Sequence, residues 1–232
     1  PPGPPPPPPP PSGSVVALVG LTPGWATFGQ ALPLGSARDG LRVGDLQTQT
    51  DVKTRWPDGS IRFAVVTTRA VRAGTHDVTS TGPSSGSFTP RNPPPVRVSL
   101  AMTGGGTYSA LVPAPGSMSD AWLNGPLVVE KRQTVTPTTS GGQPHPFLRV
   151  VFDLRTYQDG QGRVDVTVEN TIDISAATQA EYSLRIGEDG GREYLVRSGV
   201  TQPIFTRWRQ VFGVNGFQES RVTPDLEPAV QA

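Results

Sequence analysis

Few of the 232 residues are of the kinds that carry out catalysis, and those few are scattered. The chain has no cysteine, which excludes a thiolate nucleophile and a cysteine metal site. Its two histidines, His76 and His145, are distant in the sequence and have no cluster of Asp or Glu nearby, a poor pattern for zinc. No serine stands in a G-x-S-x-G elbow, and the glycines at 104–106 form no phosphate-binding motif. We therefore expect no catalytic residue, no metal and no cofactor, in a chain that is not an enzyme.

Aromatic residues are better candidates for binding. Trp25, Trp56, Trp122 and Trp208 could each be a core residue or a platform on which a sugar ring stacks. Alternation along the strands favours the core for Trp56 and places Trp208 under a sheet edge. Trp122 lies beside turn residues, and it is the ring that we expect to be most exposed.

The candidate contacts with a glycan or a partner protein follow from these positions. Asn124 follows Trp122 at the turn. Arg207 and Arg209 flank Trp208 and share the opposite strand face, directed toward solvent or a following domain. We therefore take Trp122, Asn124, Arg207 and Arg209 as the candidate contact residues.

The composition limits both fold and partners. Glycine and proline, at 27 residues each, disfavour helices. Lysine plus arginine number 20 against 19 acidic residues, and a net charge of +1 is too balanced for a nucleic-acid binder or a polybasic membrane arm. No run of 18 apolar residues occurs, so no membrane span is predicted. We expect neither nucleic acid nor a membrane as a partner.

Strict alternation marks a hairpin in the first half of the chain. Between Leu46 and Trp56 the even positions are strand formers and the odd positions are polar, which predicts one buried and one solvated face. A turn follows at residues 57–60, where Pro57 presets φ, Asp58 can bond the local backbone and Gly59 accepts a positive φ.

Matching the apolar faces predicts the register of this hairpin. A four-residue loop sets Trp56 opposite Ile61 and Val52 opposite Val65, and we favour it over a three-residue loop with a bulge. Trp56 and Val65 are then on the buried face. The residues predicted to build the hairpin and its core are Trp56, Pro57, Asp58, Gly59, Ile61 and Phe63.

The same pattern recurs in the second half of the chain. Apolar residues alternate over 148–154, a glycine-rich turn spans 158–162, and valines alternate with polar residues over 164–169. Setting Leu154 opposite Val166 brings Arg155 opposite Asp165, an opposite-charge pair.

Shorter patterns complete an all-β organisation. No window has helical periodicity, and many short strands punctuated by Gly and Pro indicate an antiparallel β-sandwich or a barrel, of which we favour the sandwich. A third hairpin is predicted around Gly187–Gly191. Further strands are predicted near 15–21, 26–32, 96–102, 108–112 and 127–136.

Three parts follow one another along the chain. Residues 1–13 contain ten prolines around Gly3 and predict a polyproline II arm that serves as linker or assembly arm. Residues 14–222 are predicted to form the sandwich, with a Pro/Ser-rich stretch at 82–95 that could divide it into two lobes. Residues 223–232 are a tail or a linker. The arm includes Pro1, Pro2, Pro4 and Pro11.

Three patches of the sequence resemble a known group of proteins. Residues 28–35, FGQALPLG, and residues 46–64, which include WPDGSIRFA, resemble the N-terminal β-domain of the exo-rhamnogalacturonan-lyase-like family. The DVK at 51–53 and the IRFA at 61–64 are more similar to related, uncharacterised tailed-phage and prophage proteins. That group also carries a segment similar to RWRQVF at 207–212.

The resemblance implies a module without catalysis. In the lyase family the catalytic groups lie on a helical toroid domain after the β-domain, and no position of this chain corresponds to them. We therefore expect a structural module of a virion tail, baseplate or fibre, located in the virion or outside the cell. It would assemble as repeated copies or with other structural proteins and contact surface polysaccharide. The alternatives are a carbohydrate-binding accessory domain of a polysaccharide lyase and a subunit of a bacterial extracellular filament.

Overall fold

The computed structural model describes residues 13–90, 95–113 and 120–225, and the sixteen strands in these ranges form four sheets whose ladders are antiparallel, with no helix. This confirms the all-β prediction. The predicted polyproline arm, with Pro1, Pro2, Pro4 and Pro11, and most of the tail lie outside the described residues. The strands are β1 (Val15–Leu21), β2 (Gly24–Ala31), β3 (Gly40–Val43), β4 (Thr48–Arg55), β5 (Ile61–Ala70), β6 (Gly74–Thr81), β7 (Val96–Met102), β8 (Thr107–Leu111), β9 (Asp120–Asn124), β10 (Val128–Val135), β11 (Arg149–Tyr157), β12 (Gly162–Asn170), β13 (Ala180–Glu188), β14 (Glu193–Gln202), β15 (Thr206–Val214) and β16 (Val222–Asp225).

The chain divides into two compact units. Unit 1 consists of residues 1–89, 123–128 and 217–232, and unit 2 consists of residues 90–122 and 129–216. The sheets of unit 1 have the strand orders β16-β1-β6-β3 and β2-β5-β4. Those of unit 2 have the orders β14-β13-β7-β8 and β15-β12-β11-β10-β9, with residues 123–124 of β9 and 128 of β10 assigned to unit 1.

Unit 1 is a sandwich because both of its sheets contribute to one apolar cluster. Val19 and Val78 come from one sheet, and Ala26, Ala64 and Val66 come from the other. The remaining buried members are Leu21, Leu32, Ala37, Leu41, Val43, Ile61 and Ala70.

Unit 2 is built in the same way around a larger cluster. Its valine-rich strand β12 turns Val164, Val166 and Val168 inward, and from the other sheet Leu184 and Ile186 of β13 meet the same cluster. The charged side chains of β11 and β12 stand at the positions that alternate with these core residues, so they fall on the outer face of the sheet. That face carries the candidate site.

The first hairpin turns through three residues rather than four. The Trp56 N–H donates to the Ser60 carbonyl at 2.8 Å, and the Gly59 N–H donates to the Trp56 carbonyl at 2.9 Å. Gly59 has a φ of 85°, as in a three-residue loop that ends in a bulge glycine. The predicted four-residue loop was wrong, because matching apolar faces ignores the residue that a bulge adds.

The register therefore differs by one residue from the prediction over most of the ladder, and it agrees with the prediction only where Thr54 faces Phe63, between two irregularities. Arg55 faces Ile61, and Asp51 faces Val65. The strand β5 turns Ala64 and Val66 toward the core, while Phe63 lies on the other face, against Gly29.

Trp56, predicted in the core, is half-buried and outside the core cluster. Its indole N–H donates to the Leu32 carbonyl at 3.0 Å, and the Arg62 guanidinium carbon lies 4.8 Å from the ring centroid.

Within the turn, Asp58 accepts hydrogen bonds from the Ser60 N–H and hydroxyl at 2.9 and 2.6 Å. These two bonds lower the pKa of Asp58. The WPDGS segment is thus a structural turn.

The second hairpin uses the same three-residue turn. The Tyr157 N–H donates to the Gln161 carbonyl and the Gly160 N–H donates to the Tyr157 carbonyl, both at 2.9 Å. Gly160 has a φ of 86°. Leu154 faces Val164 rather than Val166. The predicted pairing of Arg155 with Asp165 across this hairpin was consequently wrong.

The third hairpin, between β13 and β14, is confirmed, and so are the five shorter strands, to within two residues at each end. Strands β3, β6, β9 and β16 were not predicted. Their sequences are short or rich in Gly and Thr, and in β6 only Val78 joins the apolar cluster. A strand with one core residue has no alternation to detect.

Candidate functional site

Ion pairs cover the outer face of the five-stranded sheet in unit 2. Arg132 of β10 donates two parallel hydrogen bonds to Asp153 of β11, from Nε to Oδ1 at 2.6 Å and from a terminal nitrogen to Oδ2 at 2.9 Å. Beside it, Arg155 bonds Glu130. A bidentate guanidinium–carboxylate pair fixes both side chains in one plane.

Two further carboxylates on β12 each have two arginine partners. Asp165 is bonded by Arg163 at 2.9 Å and by Arg209 of β15. Glu169 accepts from Arg207 at 2.9 Å and lies 3.4 Å from Arg149. The ladder between β12 and β15 sets Glu169 directly opposite Arg207, so the strand register itself creates this pair.

The carboxylates lie beneath the arginines. The side chains of Asp153, Asp165 and Glu169 are 17, 10 and 11% exposed, whereas those of Arg132 and Arg207 are 67% exposed. Solvent therefore meets a layer of guanidinium groups that is held in place from below.

Electrostatic attraction strengthens these pairs. A hydrogen bond to Asp153, together with its charge, raises the pKa of Arg132 above the ordinary value. Burial alone would lower the pKa of Arg155, but attraction and hydrogen bonding to Glu130 and Tyr157 together outweigh burial and raise that pKa. Both guanidiniums stay charged at any pH at which the protein is folded.

Two adjoining clefts run over this face. The first, of about 570 Å³, is bordered by Trp122, Glu130, Arg132, Gln133 and Thr134. The second, of about 390 Å³, extends from Arg132 and Thr134 to Arg207 and Arg209. Since Arg132, Thr134 and Asp153 line both, the clefts form one continuous groove, which we call the arginine groove.

Trp122 is the aromatic wall of the arginine groove. It lies on β9, the edge strand, and 52% of it is exposed, as the sequence led us to expect. Trp25, by contrast, is buried, and Trp208 is half-buried against the core of unit 2. A large aromatic ring left in water at the edge of a polar cleft is typical of a binding surface.

Three of the four candidate contact residues come together in this groove. Trp122 lies at one end, and Arg207 and Arg209 lie at the other. Asn124 does not line it: this residue belongs to unit 1, where its backbone N–H donates to the Asp51 carboxylate at 2.9 Å.

Sequence reasoning missed the middle of the groove. Arg132, Thr134 and Thr167 were not singled out, because a charged or hydroxyl residue on a strand is usually just solvated. The available signal was the repetition of Arg and Asp or Glu on the polar positions of β10, β11 and β12. Such a pattern indicates an ion-pair array once the strands are known to be neighbours.

One of the two histidines, His145, has a structural role. His145 is buried between the rings of Tyr108 and Phe147, with centroids at 4.8 and 4.7 Å, and its Nδ1 accepts the Leu148 N–H at 2.9 Å. Burial lowers the pKa of His145. In the part of the chain that the structure describes, no group of three or more His, Asp or Glu could hold a metal ion. Nor does that part contain a helix long and apolar enough to cross a membrane.

Comparison with known proteins gives no relative: no family model, no curated protein and no solved structure matched the chain.

Proposed function

We propose that this protein is a non-enzymatic β-sandwich module that binds a glycan in the arginine groove. The observation that carries the proposal is the exposed Trp122 ring at the border of a cleft lined by hydrogen-bonding side chains. An indole face offers a sugar ring a flat apolar surface, and the neighbouring Gln133 and Thr134 offer donors and acceptors for hydroxyl groups.

Binding without turnover fits the state of the carboxylates. Each of Glu130, Asp153, Asp165 and Glu169 is bonded to at least one arginine. A general acid or nucleophile must instead be presented to the substrate. The groove therefore supports recognition rather than hydrolysis or elimination.

Glycan-array binding tests the proposal with two variants. Trp122→Ala removes the stacking surface, and we expect it to weaken binding of every glycan that the native protein retains. Phe205→Asn is the matched control, because Phe205 is also an exposed aromatic of unit 2, at 62% exposure, but does not line the groove. Absence of binding to any glycan, or equal binding by Trp122→Ala, would contradict the proposal.

A structural role in a virion, as repeated copies, is the second candidate, and one observation favours it. Strand β14 is an edge of its sheet, and Val196 on it and Ile204 and Phe205 just after it are 48, 43 and 62% exposed. Exposed edges and apolar side chains are commonly buried against a second copy.

Sedimentation over a range of concentrations tests this second candidate. A native oligomer that dissociates on Phe205→Asn would support it. Asparagine suits this position because Phe205 has a φ of 61°, which asparagine tolerates well. A monomer at every concentration would contradict it, with the glycan proposal unaffected.

A further inference from the structure

We infer that the ligand of the arginine groove is an acidic glycan, one that carries carboxylate or sulfate groups along its chain. This inference rests on the proposed glycan binding and specifies its chemical class. It is drawn from the charges that the groove presents to solvent.

Positive charge exceeds negative charge on this face of the sheet. The ion-pair array contains six arginines and four carboxylates. The chain as a whole carries a net charge of only +1, so the excess is a local property of this surface. A cleft with excess charge of one sign concentrates ligands of the other sign.

The arginines lie closer to solvent than the carboxylates, and this difference in exposure strengthens the excess of positive charge. Arg132, Arg207 and Arg209 have side chains that are 67, 67 and 57% exposed, while the carboxylates they contact are 17% exposed or less. A ligand in the groove meets guanidinium groups first. Coulomb interactions in a partly desolvated cleft are stronger than in bulk water.

The outer arginines keep donors available while their carboxylates hold them in place. A guanidinium has five N–H donors. Arg132 uses Nε and one terminal nitrogen for Asp153, and Arg207 uses Nε for Glu169. The remaining N–H groups form a fork suited to a ligand carboxylate or sulfate. Because the side chains are already fixed, binding costs less conformational entropy.

The groove has the shape for a chain rather than a single small anion. It begins at Trp122 on β9 and crosses β10, β11 and β12 to Arg207 on β15. Four intervals between neighbouring strands span about 19 Å. Arginines recur along this path, so several acidic groups of one polymer can be met in succession.

Binding of paired polymers to the whole chain tests the inference. Alginate, a polymer of uronates, is compared with its propylene glycol ester, which lacks most of the free carboxylates. Dextran sulfate is compared with neutral dextran, so that carboxylate and sulfate are separated. We expect at least one acidic member to bind about tenfold more tightly than its neutral partner. Raising the salt concentration should weaken that binding.

Variants of the outer arginines locate the effect. Arg207→Gln and Arg209→Gln each leave a second arginine on the carboxylate, namely Arg149 on Glu169 and Arg163 on Asp165. We expect each to weaken binding of the acidic polymer by roughly fivefold to tenfold, with an unchanged melting temperature. Arg185→Gln is the matched control: its side chain is also 67% exposed and paired with a glutamate, Glu193, but it lies on the other sheet.

The outcomes separate this inference from the proposal beneath it. If neutral and acidic polymers bind equally, or if Arg207→Gln binds the acidic polymer as the native protein does, the acidic ligand is wrong and glycan binding stands. If no glycan on the array and none of the four polymers binds, both are wrong. Loss of binding in Trp122→Ala together with selective loss of acidic binding in Arg207→Gln supports both.

Discussion

Gln49 of β4 binds Val128 through both ends of its side-chain amide. Its Nε2 donates to the Val128 carbonyl at 3.0 Å, and its Oε1 accepts the Val128 N–H at 2.9 Å as well as the Leu127 N–H at 2.8 Å. The Gln49 amide thus makes the hydrogen bonds to residues 127–128 of unit 1 that the backbone of a neighbouring strand would make. It explains why Gln49 is 1% exposed on the strand face that its sequence marks as solvated.

Removing this amide is expected to destabilise unit 1 strongly. Gln49→Ala deletes these three hydrogen bonds and a fourth, from Nε2 to the Asp51 carboxylate at 2.7 Å, and it leaves buried backbone groups without partners. We therefore expect the free energy of unfolding to fall by about 2–4 kcal/mol. Urea denaturation measures it. Gln47→Ala, at an exposed glutamine just before the same strand, is the control and should change stability by less than about 0.5 kcal/mol. Similar values for the two variants would mean that the amide is dispensable.

Gly125 is expected to be coupled energetically to Gln49. A Cβ at Gly125 would lie 2.5 Å from the Gln49 side-chain carbonyl carbon, so Gly125→Ala should destabilise the native protein. In a Gln49→Ala background the Gln49 side chain is absent, so Gly125→Ala should lower the free energy of unfolding by at least about 1 kcal/mol less than it does in the native protein. A double-mutant cycle by urea denaturation measures this difference, with Gly82→Ala, at an open position, as control. Additive effects would rule out the contact.

The two bulge glycines are expected to behave alike although they lie in different units. Gly59 and Gly160 have φ values of 85° and 86°, where a side chain is strained. We expect Gly59→Ala and Gly160→Ala each to lower the free energy of unfolding by roughly 1–2 kcal/mol. The asparagine variants should lower it less, because asparagine tolerates a positive φ. Thermal and urea unfolding compare them with Gly106→Ala, which meets open space at an ordinary φ. An alanine variant as stable as the native protein would contradict the assigned turn.

The stability of unit 2 is expected to fall in mild acid through His145. Burial lowers its pKa below the ordinary 6.5, so the unfolded chain binds a proton more readily than the folded protein. The stabilisation is therefore complete above about pH 6.5 and is lost as the pH falls through the folded pKa. A proton on Nδ1 would also oppose the N–H groups of Phe147 and Leu148.

Unfolding measured between pH 8 and pH 5 checks the effect of His145. His145→Asn is the matched variant, because its amide oxygen can accept the same N–H groups but does not titrate. We expect its stability to vary less with pH than that of the native protein over this range. An equal pH dependence in both proteins would exclude His145 as the source.

Most strands could be predicted from the sequence, but the residues that face one another across the sheets could not. Alternation predicted β4, β5, β11 and β12, because each buries one face in a core. It failed for the register, since a bulge glycine such as Gly59 shifts the pairing by one residue without changing the alternation.

The other wrong predictions concern contacts between residues that are far apart in the sequence. Nothing local to Gln49 indicates that residues 123–128 will cover it, so its polar face reads as solvated. In the same way, Arg207 was identified as outward-facing, but its partner Glu169 became visible only when β12 and β15 proved to be neighbours. The aromatic end of the groove was predictable because exposure of Trp122 follows from the turn residues beside it.

The pairing of β1 with β16 has a consequence for synthesis on the ribosome. Leu21 faces Val222, so one edge of β1 stays open until about 200 further residues have been made. At ordinary elongation rates that takes roughly 10–40 s. All of unit 2, which ends at Gly216, leaves the ribosome before unit 1 receives its last strand. Throughout that interval the nascent chain carries an unpaired strand edge, which any other extended segment could join.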